Sequence, residues 1–278
     1  MQSSERLFSR RSLLASAAAA LTASELLAKR RVPVAVELYS IRQDCQKDLP
    51  GTLAAVAKMG YDGVEFAGYY GRSAPELRKM LDDLNLKAFS THISVKTLLG
   101  DELEKSIEFN RILGNSRLTV ASLPAAKTLQ PWYDVAKQFN EIAQKLKRYK
   151  MRVGFHNHAG ELDLVEGKRP WDVFLDSTSK DVTMQMHMQH FPAKSLDAIE
   201  YLKRYRGRAR TMHLNDYAPD RRKVLFGEGV IEWKKIFDAA EKFGGIECYI
   251  VEQESYPEPL TPLQCVDRCL QNFRKLHA

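Results

Sequence analysis

The sequence predicts an α/β chain folded as a (β/α)8 barrel. Three observations lead there. A strand pattern followed by a helix pattern recurs eight times after residue 32, glycines close several of the helices, and no glycine-rich dinucleotide fingerprint follows the first strand. In order, "VPVAVELYS" leads to a helix ending near "AAVAKMG", "YDGVEFAG" to "APELRKMLDDLN", and "LKAFSTHIS" to "GDELEKSIEFNRILG". "SRLTVASLP" leads to "WYDVAKQFNEIAQKLKRYK", "MRVGFHNH" to "RPWDVFLDS", and "VTMQMHMQH" to "KSLDAIEYLKRY". "ARTMHLNDY" leads to "IEWKKIFDAAEKFG" and "ECYIVEQES" to "TPLQCVDRCLQNFRKL". The helical stretches carry apolar residues at three- and four-residue spacing, as in Leu77, Met80, Leu81 and Leu84. Gly60, Gly114 and Gly244 fall where a left-handed residue ends a helix. A doubly wound open sheet, the competing architecture, calls for the missing fingerprint.

The N-terminus reads differently. "SRRSLLASAAAALTASELLA" places paired arginines before a short, alanine-rich apolar run, the pattern of a twin-arginine export signal. Residues 1–28 are expected to be that signal and 29–278 a single barrel domain, exported to the periplasm or beyond the cytoplasm. The apolar run is too short for a permanent membrane anchor. The chain carries a net charge of +7, and three arginines against two glutamates in residues 1–28 leave +6 for the rest. That excess is spread out, with one denser run at "YLKRYRGRAR" that reads as the solvated end of a helix, so no nucleic-acid surface is expected. Cys45, Cys248, Cys265 and Cys269 form no C-x-x-C and no zinc module, and four packed free thiols are expected.

A barrel of this kind carries its active site at the C-terminal ends of its strands. Those ends hold Glu37 and Tyr39, Glu65, His92, then His156 and His158 on one face of strand five. Strand six contributes His187 and, where its loop begins, His190; strand seven has His213, and strand eight has Glu252 and Glu254. Of the seven histidines only His277 lies elsewhere, which points to a metal or acid–base site. In "MQMHMQH" side chains alternate between two faces. Thr183, Gln185 and His187 share a polar face, and Met184, Met186 and Met188 share an apolar one.

Several of these stretches, "ELYSIRQD", "MGYDGVEFAGYYG", "GFHNH", "MHLNDY", "FGEGVIEW" and "YIVEQESYP", resemble the sugar phosphate isomerase/epimerase family of xylose-isomerase-like TIM barrels. The resemblance covers nearly the whole chain after residue 32. It implies a barrel enzyme with one divalent metal that holds adjacent oxygens of a sugar while a proton moves. Carried over by position, the metal ligands are His156, His187, His213 and Glu252. His213 and Glu252 match the common pattern. His156 stands where many relatives have glutamate, and His187 stands where relatives reading "MQLDTGN" have aspartate.

Three imidazoles and one carboxylate shift metal preference toward Zn, Mn, Co, Fe or Ni and away from Mg. The substitution also removes a carboxylate base. Glu252 remains as one acid–base group, with His158 as first and His190 as second candidate opposite it. Glu65 and His92 line the pocket or hydrogen-bond behind it. Trp132 and Tyr39 stack on a sugar ring or simply pack. Lys223 binds an anionic group or an enolate oxygen, or is a solvated loop lysine, and Glu228 is a turn residue.

The expected function is a metal-dependent sugar isomerase or epimerase acting by proton abstraction next to a carbonyl, through an enediolate. The close variant is a 3-keto-glycoside lyase or hydratase using the same enolate. A non-catalytic carbohydrate-binding barrel is the alternative from another class. A DNA endonuclease of the abasic-site type is disfavoured by the export signal and the lack of a continuous basic, aromatic surface. The sequence leaves the sugar and the oligomeric state open.

Overall fold

The computed structural model describes residues 31–277 apart from Ala125. The expected boundary between residues 28 and 29, and the export signal itself, lie outside the described residues. Eight parallel strands close into a barrel in simple sequential order, each paired to the next and β8 back to β1. They are β1 (Val34–Glu37), β2 (Gly63–Ala67), β3 (Lys87–Ile93), β4 (Arg117–Val120), β5 (Arg152–His156), β6 (Thr183–His187), β7 (Thr211–Leu214) and β8 (Cys248–Val251).

The outer helices are α1 (Arg42–Lys47), α2 (Leu49–Met59), α3 (Ala74–Asp83), α4 (Glu102–Leu113) and α5 (Gln130–Lys147). They continue with α6 (Pro170–Ser177), α7 (His190–Ala193), α8 (Ala198–Arg204), α9 (Trp233–Ala239) and α10 (Pro262–Leu276). Among the described residues no helix is long and apolar enough to cross a membrane.

The helices begin and end where local chemistry says they should. Ser73 with Glu76 and Thr261 with Gln264 form reciprocal capping boxes at α3 and α10, satisfying backbone donors that a helix start leaves open. Gly60 and Gly114 take the left-handed conformation after α2 and α4, at φ 91° and 80°. The expectation for Gly244 is corrected. It ends a π-helical turn, and the left-handed residue is the next one, Gly245, at φ 73°. One face of α10, Cys265, Val266, Cys269, Leu270 and Phe273, is buried against the barrel at helical spacing. All four cysteines are free and buried.

Two layers of packing meet at each strand. Outward residues such as Phe155 and Met186 pack beneath the helices, and inward residues fill the barrel. Small inward residues hold the middle. A Cβ on Gly154 would sit 2.3 Å from Thr183 Oγ1, so only glycine lets β5 and β6 approach there. Ser90 and Thr119 hydroxyls bond at 3.0 Å across the same level. The N-terminal end is closed by Ala35, Cys248 and Ile250 with Phe89.

The basic run "YLKRYRGRAR" departs from the expected solvated helix end. Helix α8 stops at Arg204, and Arg208 is buried, donating to the carbonyls of Val182 and Leu175 and to the Thr178 hydroxyl. Its fork replaces water for three acceptors, two at the end of α6 and one just before β6.

Candidate metal and acid–base centre

Alternation along each strand decides which side chains reach the barrel axis at its C-terminal mouth. In β6 the polar face, Gln185 and His187, points inward at two levels, and Met184 and Met186 are buried on the other face. The register pairs His187 with His213 and Glu37 with Glu65, which brings these residues to one height. Four buried side chains then meet. One ligand-type atom from each of His156, His187, His213 and Glu252 lies within 4.8 Å of the other three.

The details favour a shared cation. His213 Nδ1 and His187 Nδ1 approach the same oxygen, Glu252 Oε2, at 2.6 and 2.7 Å. Yet His187 Nδ1 is buried without the alignment of a hydrogen bond to any partner, an orphaned polar atom of the kind that is costly unless a ligand satisfies it. His156 donates Nδ1–H to Gln185 Oε1 at 3.0 Å, which leaves its Nε2 lone pair available. A carboxylate and three imidazole nitrogens are a donor set that suits a divalent transition metal.

A second, deeper layer holds these groups in place. His213 Nε2 is 2.5 Å from Glu65 Oε2. Gln185 donates to Glu65 Oε1 at 2.8 Å and to Thr211 at 3.0 Å, while its carbonyl accepts from His156 and, at 2.7 Å, from His92. His92 Nδ1 meets Glu37 Oε1 at 2.8 Å. Above the cluster the Asn215 amide lies 2.5 Å from His187 Nε2, and its oxygen accepts the Gln189 backbone N–H at 2.9 Å.

Burial and charge set the protonation states in opposite directions. Burial raises the Glu252 carboxyl, but the charges of His213 and His187 outweigh it and hold it well below the usual glutamate range. Burial likewise opposes ionisation of Glu65, and His92 and His213 overcome it, placing that carboxyl at about 2. His213, desolvated but set between Glu252 and Glu65, is pushed up to about 10. Burial and then the Glu252 charge push Glu37 well above the ordinary value, so Glu37 holds a proton against Glu252. Desolvation lowers His156, His187 and His158, and burial with neighbouring His187 and His158 takes His190 to about 3. Burial and the Glu252 charge raise Glu254.

The other sequence candidates separate clearly. His158 and His190 stand at the mouth, 6.2 Å apart ring to ring, with His190 stacked on His187 at 4.3 Å. Glu65 and His92 belong to the deeper layer and support ligands. Tyr39 is 40% exposed beside the mouth, and the Arg42 guanidinium covers its ring at 4.1 Å.

Trp132 packs and does not face the site. It heads the apolar stripe of α5 with Ala136, Phe139 and Ala143, and its ring packs 5.9 Å from outward-facing Phe155, outside the barrel. That stripe was the sequence signal for core. Lys223 takes the second of its two expected roles, a solvated loop lysine. It is exposed, while Arg221, Arg222 and Glu254 help to line the cavity of about 290 Å³ that opens beside His187 and Glu252. Glu228 closes the turn, accepting the Leu225 N–H at 3.3 Å.

Two residues were not singled out as site residues. Glu254 has the same parity as Glu252, and that was its signal. Asp216 accepts from Gly227 and Ile231 backbone N–H groups and from Trp233 Nε1, anchoring the loop after β7; nothing local to "LNDY" announces this.

Fold and site together define a barrel enzyme class with a buried histidine- and carboxylate-lined centre at the C-terminal mouth. The chain belongs to the xylose isomerase-like TIM barrel family, whose profile it matches over residues 53–264. It is 22% identical over 265 residues to inosose dehydratase of Histophilus somni, an alignment covering 81% of this chain and 88% of that protein. A sugar phosphate isomerase/epimerase from Parabacteroides distasonis has the same fold, with TM-score 0.78, 22% identity, and coverage of 91% of this chain and 98% of that one. An L-ribulose 3-epimerase superposes with TM-score 0.66 at 15% identity over 89% of this chain and 96% of that one.

Proposed function

We propose that this protein is a divalent-metal-dependent lyase that removes water or an alcohol from a polyhydroxylated ketone. The first step is proton removal next to the carbonyl. The observation that carries the reading is the pairing of a base and an acid of different kinds on opposite sides of the cluster. His158 and His190 are histidines on the β5–β6 side that desolvation keeps neutral, and Glu254, exposed on the cavity wall and raised by partial desolvation and the Glu252 charge, is the acidic group on the β8 side. Glu252 is ionised and committed to His187 and His213, so it is a poor base. The carbon–hydrogen bond breaks toward a neutral histidine. The new carbon–carbon double bond forms as the β carbon–oxygen bond breaks, and Glu254 protonates the departing oxygen. A bound cation, held by His156, His187, His213 and Glu252, supplies positive charge that favours the enolate form of the carbonyl. That donor set suits Zn, Mn, Co, Fe or Ni better than Mg.

Similarity to inosose dehydratases supports the elimination over the isomerisation expected from sequence. Isomerisation or epimerisation is the second reading, because Glu254 across the mouth from the histidines can return the proton to another carbon or the opposite face. Protein loaded in turn with Zn2+, Mn2+ and Co2+ is incubated in D2O with ketoses, inososes and 3-keto-glycosides. Mass spectrometry showing metal-dependent loss of water or alcohol supports the lyase. Deuterium uptake with the formula otherwise unchanged supports the isomerase. Binding of sugars without either change would sink both and leave a carbohydrate-binding barrel.

We further infer from "SRRSLL" and the alanine-rich run that residues 1–28 direct export by the twin-arginine route. Fused to a reporter that folds in the cytoplasm, they should carry it to the periplasm, and replacing Arg10 and Arg11 by lysines should stop it. A chain starting at Lys29 should unfold with unchanged cooperativity.

A further inference from the structure

Gln185 sits at the centre of the deeper layer with all four hydrogen-bonding positions of its amide in use. Its oxygen accepts from His156 Nδ1 at 3.0 Å and His92 Nε2 at 2.7 Å. Its nitrogen donates to Glu65 Oε1 at 2.8 Å and Thr211 Oγ1 at 3.0 Å. An amide can be turned over, and here its partners forbid that. Turned over, its oxygen would face a carboxylate oxygen of Glu65, acceptor against acceptor, in a site sealed from water. The acceptor character of Glu65 therefore decides the amide, and the amide decides the ring. His156 must present N–H at Nδ1, so its lone pair is at Nε2. The other oxygen of Glu65 meets His213 Nε2 at 2.5 Å, leaving His213 Nδ1 toward Glu252.

We propose that Glu65 and Gln185 are positioning residues that select the ligating nitrogen of two rings at once. Glu65 acts directly on His213, keeping the proton on Nε2 when a cation takes Nδ1, and through Gln185 on His156, keeping the proton on Nδ1. One carboxylate on β2 thus orients ligands on β5 and β7, with Gln185 of β6 as the link. Outer partners of this kind govern ring tautomer and orientation in metal sites generally. The inference rests on the metal reading of the site for its consequence, but the tautomer itself is a property of the metal-free protein. It also gives Gln185, the first glutamine of "MQMHMQH", a role distinct from that of His187 on the same strand face.

The test combines two readouts. Long-range 1H–15N spectra of the 15N-histidine-labelled, metal-free protein report which nitrogen of His156 is protonated. Competition with a chromophoric chelator reports Zn2+ affinity. Wild type should show a single Nδ1–H tautomer at His156. Gln185→Met, which keeps the volume and removes the amide, should lose that single pattern and weaken Zn2+ binding by about 10- to 100-fold.

An Nε2–H tautomer in wild type overturns the proposal, as does a Gln185→Met protein that folds and keeps the wild-type tautomer. Should Gln185→Met not fold, Glu65→Gln carries the test: mixed tautomers at His156 support the relay, and an unchanged one sinks it. A wild-type protein that takes up no Zn2+ defeats the functional reading, while the tautomer spectra still decide the relay.

Discussion

At the N-terminal end of the barrel, charged side chains have partners of opposite character. Arg117 and Arg210 share Glu247, and Arg208 is tied to backbone carbonyls and a hydroxyl. At the C-terminal end, two imidazole nitrogens crowd one carboxylate oxygen, one of them without the alignment of a hydrogen bond, and a protonated glutamate lies against an ionised one. The comparison separates two uses of buried polarity. Below, opposite charges and carbonyls pair across strands and hold them together, although Arg117 Nε and Arg210 Nε lack hydrogen-bond partners. Above, imidazoles and carboxylates converge on one point where a cation fits, and His187 Nδ1 and Glu37 Oε2 are left without hydrogen bonds beside it.

Removing a ligand should break this contrast most sharply. His187→Ala is expected to weaken Zn2+ binding by more than about 100-fold, beyond what outer-layer changes do, and to abolish turnover. His187→Asp should keep a metal and move preference toward Mn2+ or Mg2+. Metal analysis and chelator competition check both, and full metal content in His187→Ala would make it a substrate or packing residue.

The opposite end should respond in stability alone. Arg208→Ala strands the Val182 carbonyl and removes the charged donor from Leu175 O and Thr178 Oγ1, which keep only their bond to each other and that of Thr178 to Phe174, and should cost about 2–4 kcal/mol with Zn2+ affinity unchanged. Chemical denaturation with parallel metal titration measures this. A loss of metal affinity matching the loss of stability would show that the two ends are not independent.

A smaller effect is expected from pH. Arg117 and Arg210 outweigh burial and hold Glu247 below its ordinary value of 4.5. A depressed carboxyl contributes stability that is present above its unfolded value and is lost as pH falls through its folded value. Glu247 is 35% exposed, so solvent screening limits the contribution to about 1 kcal/mol or less. Glu247→Gln should therefore lower stability at neutral pH slightly and flatten its decline below the usual glutamate range. Equal slopes in variant and wild type would remove Glu247 from the account.

The smallest change has the opposite sign. Ligation by His187 Nδ1 needs its Nε2 protonated, whereas Asn215 presents its NH2 there because its oxygen holds Gln189 N–H. Asn215→Asp offers an acceptor to both, and should tighten Zn2+ binding by a few-fold. Weaker binding would count against Nδ1 as the ligating atom.

Much of this was legible in the residues. Eight strand–helix alternations specify the barrel because periodicity and glycine caps are local properties. The inward parity of His156, His187, His213 and Glu252 follows from counting by twos along strands whose C-terminal ends must meet. Trp132 could have been assigned to the core from its own stripe on α5. Tertiary structure alone decided the rest. No local pattern joins Gln185 to Glu65, 120 residues away, or makes Arg208 a buried clamp instead of a solvated charge. Nor does any pattern put Arg221 and Arg222 at the cavity in place of Lys223. These depend on which acceptor, charge or loop lies opposite in space. Propensity and periodicity act over one turn or one strand, so a sequence shows that a polar side chain faces the barrel axis, while the hydrogen-bond partner that sets its proton comes from a strand across the barrel.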